Sequence, residues 1–200
     1  MKIVIVGASG TIGKGIVQLL APNHKLVKVG HRSGDFTVDL ASKDSIKKLF
    51  DDVGSVDALI SAAGAATFGS LDELTDDSFM LALTNKLMGQ VNLVRMGRSK
   101  INDNGSITLT SGMLSQNPMP GSASISMVNA GLEGFVRAAA LEMPRGVRIN
   151  AVSPVFVKET MEILGMDSTH GMPSQKVALA YKEAVESQRN GEVLDVRDFA

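Results

Sequence analysis

The chain has 200 residues, of which 44% are hydrophobic, so it can bury one sizeable core, and we expect a single domain over residues 1–200. A formal net charge of −1 gives no reason to expect nucleic acid or an anionic membrane as a partner, and the absence of cysteine excludes disulfides and thiolate catalysis. No apolar run reaches membrane-spanning length, and we expect no leader because the first strand begins at Lys2, so these features favour a cytoplasmic protein.

Short β-branched segments alternate with longer helical patterns along the chain. In order, the expected strands are KIVIV, KLVKV, FTV, DALIS, GSITLT, VRINAV and EVLDV. Helices are expected at 11–20, 43–52, 76–99, 122–142 and 174–187, with Asp76 as the N-cap of the third and Pro144 closing the fourth. The alternation predicts an α/β, Rossmann-type fold: a doubly wound, seven-stranded parallel sheet with helices on both faces. Residues 158–172 lack clear periodicity and are a candidate substrate lid.

The segment GASGTIG directly follows the first strand and opens the first helix. Glycine permits a tight turn and a close approach of phosphate to the backbone, and a helix N-terminus favours an anion. The segment therefore predicts a dinucleotide pyrophosphate site formed by Gly7, Ser9, Gly10, Thr11, Ile12 and Gly13. The alternative is an ordinary strand-to-helix turn, because Ala8 stands where the G-x-G-x-x-G pattern has its second glycine.

The end of the second strand bears on which nucleotide binds. A site for NAD(H) usually carries an acid there, but the first acid in VKVGHRSGD is Asp35, which comes too late. Arg32 can form a fork to a 2′-phosphate, and Ser33 can donate a further bond. We therefore predict NADP(H) rather than NAD(H), against the alternative that Arg32 is a solvated loop residue.

Several stretches together resemble the short-chain dehydrogenase/reductase family. GASGTIG is similar to its cofactor loop, VDL at 38–40 to its adenine-binding segment, SAAG at 61–64 to its Asn-Asn-Ala-Gly run, and NAVSPVFVKET at 150–160 to its nicotinamide-side segment. Val155 stands in place of the family's glycine after the proline. The resemblance implies further cofactor contacts at Asp39, Leu40, Ala62, Ala63, Gly64, Pro154, Val157 and Thr160.

The resemblance departs from the family at the catalytic positions. The family acts through an Asn, a Ser, a Tyr that transfers the proton, and a Lys four residues after the Tyr. The segment ISMVNAGLEGF aligns so that Ile125 takes the tyrosine place and Asn129 the lysine place. The serine place falls on Gly112, which leaves Ser111 as a candidate hydroxyl one residue away.

A lysine replaces the fourth catalytic residue in this alignment. NKLMGQVNL is similar to the family's Asn-Leu-x-Gly stretch, and Gly89 then places Lys86 at the asparagine position, whereas a one-residue slip would return Asn85 to it. The functional hypothesis is that Lys86 stabilises or protonates the alkoxide formed on hydride transfer. The structural alternative is that it anchors the ribose or forms a hydrogen bond with Asn129.

Other residues carry weaker signals. Tyr181 lies on the apolar side of VALAYKEAV, which predicts core packing, and the three histidines have no metal-ligand spacing, so no metal site is expected. Five methionines follow the fifth strand or lie in or beside the candidate lid, and they would line an apolar substrate pocket or fill the core: Met113, Met119, Met161, Met166 and Met172.

The sequence thus favours an NADP(H)-dependent oxidoreductase with an atypical active site that acts on a small carbonyl or alcohol. The alternative is a catalytically silent NADP(H)-binding sensor or assembly protein, as the loss of the tyrosine and lysine suggests. Small residues on the helices at 76–99 and 122–142, together with the pairing common among related proteins, predict a homodimer or homotetramer.

Overall fold

The computed structural model describes residues 1–200, and its centre is one parallel sheet. The strands are β1 (Lys2–Val6), β2 (Lys25–Gly30), β3 (Phe36–Thr37), β4 (Val56–Ser61), β5 (Ile101–Thr110), β6 (Arg148–Ser153) and β7 (Val193–Asp195). Their order across the sheet is β3-β2-β1-β4-β5-β6-β7, and every neighbouring pair is parallel. The predicted seven-stranded parallel sheet is confirmed.

Helices cover both faces of the sheet. They are α1 (Thr11–Leu20), α2 (Lys43–Val53), α3 (Asp76–Leu81), α4 (Met88–Gly97), α5 (Ala123–Ala139), α6 (Lys158–Ile163) and α7 (Ser174–Glu186). One buried apolar cluster joins the sheet to α2, α4 and α5, and the other joins it to α1 and α7. This is the predicted doubly wound arrangement. None of the helices is both long and apolar enough to cross a membrane.

The strand order fixes where a ligand can bind. The chain runs outward from β1 to β2 and β3, then returns to place β4 on the other side of β1. The loops after β1 and β4 therefore diverge to opposite faces and leave a crevice at the carboxyl edge, where doubly wound sheets bind ligands. Gly7 and Ala62 follow these two strands, and their amides continue the ladder by donating to Val29 and Val6 at 2.8 Å.

The predicted helix at 76–99 is divided into four segments. A π-helical segment, Ala82–Leu87, separates α3 from α4, and a 3₁₀ turn, Arg98–Lys100, follows α4. Hydrophobic periodicity does not reveal such an interruption, because one extra residue within a turn leaves the overall amphipathic pattern recognisable. The segment contains both Asn85 and Lys86, between which the sequence alignment had to choose.

One predicted helix cap and one predicted helix boundary are wrong. Thr75, not Asp76, is the N-cap of α3, and its hydroxyl accepts a hydrogen bond from the amide of Ser78 at 3.3 Å. The helix α5 ends at Ala139 rather than at 142, because the amides of Leu141 and Glu142 bond three residues back and tighten the chain into a turn well before Pro144.

The candidate lid at 158–172 is partly regular, which corrects the expectation that it has no periodic structure. Its first six residues form α6, and both of its ends are tied to the fold. The amide of Lys158 donates to the carbonyl of Met172 at 2.9 Å, and the carboxylate of Glu159 accepts bonds from the amide and hydroxyl of Ser174 at 2.7–3.0 Å.

Candidate functional site

The glycine loop after β1 is packed too closely for side chains at two positions. Gly7 has φ +86°, and a Cβ atom there would lie 2.5 Å from the carbonyl oxygen of Ala62. A Cβ atom at Gly13 would lie 2.0 Å from the carbonyl oxygen of Gly7. Both distances are far shorter than van der Waals contact, so the loop can take this path only with glycine at these positions.

The N-terminus of α1 offers unpaired donors to a ligand. Gly10 is the N-cap, and the amides of Thr11, Ile12 and Gly13 have no backbone acceptor. No acidic side chain lies in the first turn. Free N–H groups and the helix dipole make this end suitable for a pyrophosphate.

A cavity of about 210 Å³ opens between the loops after β1, β2 and β4. Four predicted cofactor residues meet in it, namely Gly7, Leu40, Ala63 and Gly64. His31 and Asn85 also line it. The sequence analysis offered Asn85 only as the alternative catalytic asparagine and did not assign His31, for which a signal was its place at the end of β2, beside the predicted Arg32.

The turn after β2 borders a second cavity, of about 290 Å³, on the far side of the glycine loop. Ser9 and Ser33, both predicted, line this cavity together with Lys14 and Lys28, which the sequence analysis missed. Arg32 is exposed and makes no hydrogen bond, so its guanidinium is uncommitted. Hydroxyl and ammonium groups thus meet in the second cavity, beside the turn that carries Arg32.

The remaining predicted cofactor residues have local structural partners. The Asp39 carboxylate accepts the amide of Ala41 at 2.9 Å, which holds the bend that brings Leu40 into the first cavity. Beyond β6, the carbonyl of Pro154 accepts the amide of Met113 at 2.9 Å. Val157 is buried, and Thr160 lies on α6, so this segment flanks the carboxyl ends of β5 and β6.

Lys86 is buried against the end of β5. Its ammonium donates to the carbonyls of Thr110 and Ser111 at 3.2 and 3.3 Å, and only 8% of the residue is exposed. Desolvation lowers the pKa of Lys86 from 10.5 to about 8. A Cβ atom at Gly64 would lie 2.9 Å from Cγ of Lys86, so the side chain runs directly behind the first cavity.

Asn129 reaches the same strand end from α5. Its amide nitrogen donates to the carbonyl of Gly112 at 3.4 Å, while its buried Oδ1 has no partner. A Cβ atom at Gly112 would lie 2.9 Å from Nδ2 of Asn129. Lys86 and Asn129 therefore hold three consecutive carbonyls, and they do not bond each other as one sequence hypothesis required.

Ser111 bonds a buried acid. Its hydroxyl donates to Oε1 of Glu133 at 3.3 Å, and Glu133 also accepts bonds from Ser115 and from Gln116 and pairs with Arg137. Glu133 is 1% exposed, so this network fastens the loop after β5 to α5. The signal in the sequence was one acid among small and apolar residues in AGLEGF.

The residue at the family's tyrosine place and the chain's only tyrosine differ in their surroundings. Ile125 lies in the first turn of α5 and, being aliphatic, has no exchangeable proton. Tyr181 is fully buried on α7 and bonds the hydroxyl of Thr110 at 2.6 Å, and burial raises the pKa of its phenol. Tyr181 is a core residue, as the sequence predicts.

Comparison with known proteins identifies the class to which this arrangement belongs. A family model described as enoyl-(acyl carrier protein) reductase matches residues 3–200. The chain belongs to the short-chain dehydrogenase/reductase family. Members of this family are oxidoreductases that bind nicotinamide cofactors.

Relatives of this short-chain dehydrogenase/reductase span most of its length. Protein lin1944 from Listeria innocua is 42% identical, with a TM-score of 0.94 over 98% of this chain and 99% of that chain. A small-chain dehydrogenase solved with NADPH is 25% identical, with a TM-score of 0.87 over 98% and 95%. The 3-oxoacyl-[acyl-carrier-protein] reductase of Rickettsia felis is 29% identical over 175 residues, which are 78% of this chain and 73% of the relative.

The residues present fit a nicotinamide dinucleotide. The free amides of α1 match the pyrophosphate, and the missing side chains at Gly7 and Gly13 let the backbone approach it. The first cavity lies at the end of β2, where the adenosine ribose of such a cofactor binds in doubly wound sheets. The unpartnered Oδ1 of Asn129 leaves a buried acceptor at the β5 end of the same crevice.

Proposed function

We propose that the chain is an NADP(H)-dependent oxidoreductase of the cytoplasm that interconverts a small carbonyl compound and its alcohol at an atypical active site. The observation that carries the proposal is Lys86, a buried ammonium at the end of β5, directly behind the dinucleotide cavity. Two of its three donors are taken by carbonyls, which leaves one for a ligand.

The surroundings of β2 support the choice of NADP(H). Asp35 is the first acid after the strand, and its carboxylate accepts the amide of Lys28 at 2.8 Å, so it is committed to the backbone. Arg32 is free to form a fork to a 2′-phosphate. Ser33, with the hydroxyl and ammonium groups of the second cavity, supplies further donors without a competing acid in the lining.

The chain's own groups have distinct parts in the reduction. The nicotinamide cofactor, when bound, would supply a hydride, that is, a proton with two electrons, to the carbonyl carbon. Lys86 Nζ gives a proton to the carbonyl oxygen, which becomes the alcohol, and solvent reprotonates the amine. A pKa of about 8 keeps Lys86 charged at neutral pH while making proton release easier than from an exposed lysine. Asn129 Oδ1 accepts a donor of the bound cofactor or substrate.

A specific observation also favours a second candidate function, NADP(H) binding without turnover. Ile125 stands at the place that the family resemblance gives to its tyrosine, and it cannot exchange a proton. The carbonyls of Thr110 and Ser111 also give Lys86 a structural role. A sensor or assembly protein would need only the dinucleotide cavity.

The first test is a fluorescence titration of the purified chain with NADPH and, in parallel, NADH. We expect NADPH to bind at least tenfold more tightly, and Arg32→Ala to remove most of that preference, because a charge-assisted fork is worth about 1.5–3 kcal/mol. Arg98→Ala is the matched control, since Arg98 lies just before β5, at the amino ends of the strands, whereas Arg32 follows the carboxyl end of β2. Equal binding of the two nucleotides would refute the choice of NADP(H).

The second test separates the two candidate functions. We expect Lys86→Met to bind NADPH as the parent does but to lose turnover by about 10²–10⁴-fold, the usual contribution of a positioned acid. Carbonyl reduction by the parent should fall as the pH rises through about 8, where Lys86 loses its proton. Turnover by Lys86→Met at the parental rate would exclude Lys86 as the proton donor.

A further inference from the structure

A third cavity, of about 470 Å³, lies at the carboxyl ends of β5 and β6. Its volume falls within the range of roughly 300–1,000 Å³ found for small-molecule sites. It shares no lining residue with the dinucleotide cavity or with the cavity beside Ser33. Its apolar lining includes Met113, Val155, Phe156 and Met172.

The inner wall of this cavity adjoins the catalytic end of the sheet. Met113 donates its amide to the carbonyl of Pro154 at 2.9 Å, so the loops after β5 and β6 are joined there. Gly112, the neighbour of Met113, contacts the amide of Asn129. A molecule in the cavity would thus have its inner end beside the groups that hold the end of β5.

The methionines predicted to form one pocket are divided by the fold. Met113 and Met172 line this cavity together, although they are distant in the chain. Met119 lines a separate cavity with Leu71 and Pro118. Flexible, polarisable methionine side chains suit an apolar ligand of variable shape. The cavity with two methionines, Met113 and Met172, therefore suits a substrate better than the cavity that contains Met119.

The charged side chains that line the cavity are basic. Lys176 and Arg197 border the cavity together with His170, and none of the side chains that line it is acidic. Arg197 is already paired with Asp195, its Nε lying 2.9 Å from Oδ1. Lys176 is exposed on α7 and has neither a salt bridge nor a side-chain hydrogen bond, so its charge is uncompensated.

We infer that this cavity binds the substrate and that the substrate is an oxo acid: an apolar carbonyl compound that carries a carboxylate. The apolar walls take the hydrocarbon, and Lys176 pairs with the carboxylate at the outer end. The carbonyl then lies at the inner end, beside Gly112 and Pro154. The inference rests on the proposed function for the reaction, but the binding of the carboxylate can be measured without turnover.

The test uses the full chain with ¹³C-labelled methionine methyl groups and octanoate as the probe, with octanol as its uncharged counterpart. We expect octanoate to shift the NMR signals of Met113 and Met172 and to bind more tightly than octanol. Lys176→Met should weaken octanoate about tenfold and leave octanol unchanged, as the loss of one charge-assisted bond predicts. Lys176→Arg should restore most of the affinity.

Lys182→Met is the matched control, because Lys182 lies on the same helix near Glu186 and outside the cavity. Its octanoate affinity should equal that of the parent, and thermal unfolding of each variant checks its folding. Equal binding of octanoate and octanol, or octanoate shifts that avoid Met113 and Met172, would overturn the inference. NADPH oxidation is measured separately with 7-oxooctanoate, whose carbonyl lies at the end of the chain away from the carboxylate. Octanoate bound in this cavity without any NADPH binding or oxidation would refute the proposed function and not the carboxylate site.

Discussion

Lys86 is the residue whose chemistry depends most on its surroundings. Its charge is desolvated, and its partners, the carbonyls of Thr110 and Ser111, are neutral. Neutral acceptors offset only part of the cost of burying an ammonium, so the pKa falls to about 8. A fully exposed lysine, with the ordinary pKa of 10.5, would keep its proton to a higher pH.

The free-energy cost of burying the charged Lys86 predicts how the free energy of unfolding depends on pH. The folded pKa of Lys86 lies below the ordinary value of 10.5, so between about pH 8 and pH 10 the unfolded chain binds more protons than the folded one. The free energy of unfolding contributed by this residue therefore rises over that interval, by about 2 kcal/mol. Urea unfolding at pH 7, 8, 9 and 10 should show the rise in the parent and its loss in Lys86→Met.

The control for this measurement is Lys47→Met, which removes an exposed lysine from α2. Its unfolding free energy should follow the parental pH dependence. If the unfolding free energy of Lys86→Met rose with pH as much as that of the parent, another group would be the cause of the rise.

At the scale of elements, the π-helical segment decides the orientation of two polar residues. Asn85 turns toward the loop after β4, where its Oδ1 accepts the amide of Ala65 at 2.8 Å. Lys86 turns toward β5 instead. The two side chains thus fasten the segment to the loop after β4 and to the end of β5. Such π-helical insertions are frequent at functional sites.

The N-terminus of α3 gives a test of the corrected helix cap. Thr75→Ala should lower the free energy of unfolding by about 1 kcal/mol, because the amide of Ser78 loses its side-chain acceptor. Asp76→Ala should cost only a few tenths of a kcal/mol, since Asp76 acts only through the helix dipole. Denaturant unfolding of both variants measures the difference, and a larger effect at Asp76 would contradict the assigned cap.

At the scale of the whole molecule, apolar side chains remain exposed on neighbouring helices. Met80 and Leu81 lie at the end of α3, and Met88 lies at the start of α4, so they flank the π-helical segment. Met127 lies on α5. Exposed apolar side chains grouped in this way mark association surfaces. We propose that the chain forms a homodimer or homotetramer through these helices.

Light scattering with size-exclusion chromatography tests this proposal. The parent should be a dimer or tetramer at micromolar concentration, and Met127→Glu should shift it toward monomer, because a charge buried in an apolar contact is costly. Leu141→Glu is the matched control: Leu141 is 88% exposed and follows the end of α5. A monomeric parent would reject the proposal.

The sequence by itself determined the parallel sheet, its flanking helices and the position of the glycine loop. These features are encoded locally, by repeating apolar patterns and by glycines whose steric role depends on near neighbours such as Gly7 and Gly13. The sequence also placed Lys86 at the position of the family's catalytic asparagine. Its predictions failed at the N-cap of α3, which is Thr75, and at the end of α5, where the amides of Leu141 and Glu142 bond three residues back.

The tertiary structure alone decided which side chains meet. Gly64, Lys86 and Thr110 are distant in the chain, and only the pairing of β4 with β5 and the π-helical segment bring them together. The same holds for Met113, Met172 and Lys176, which form one cavity because the segment after β6 returns to the end of β5. Contacts of this kind depend on the whole packed sheet, so no local pattern in the sequence specifies them.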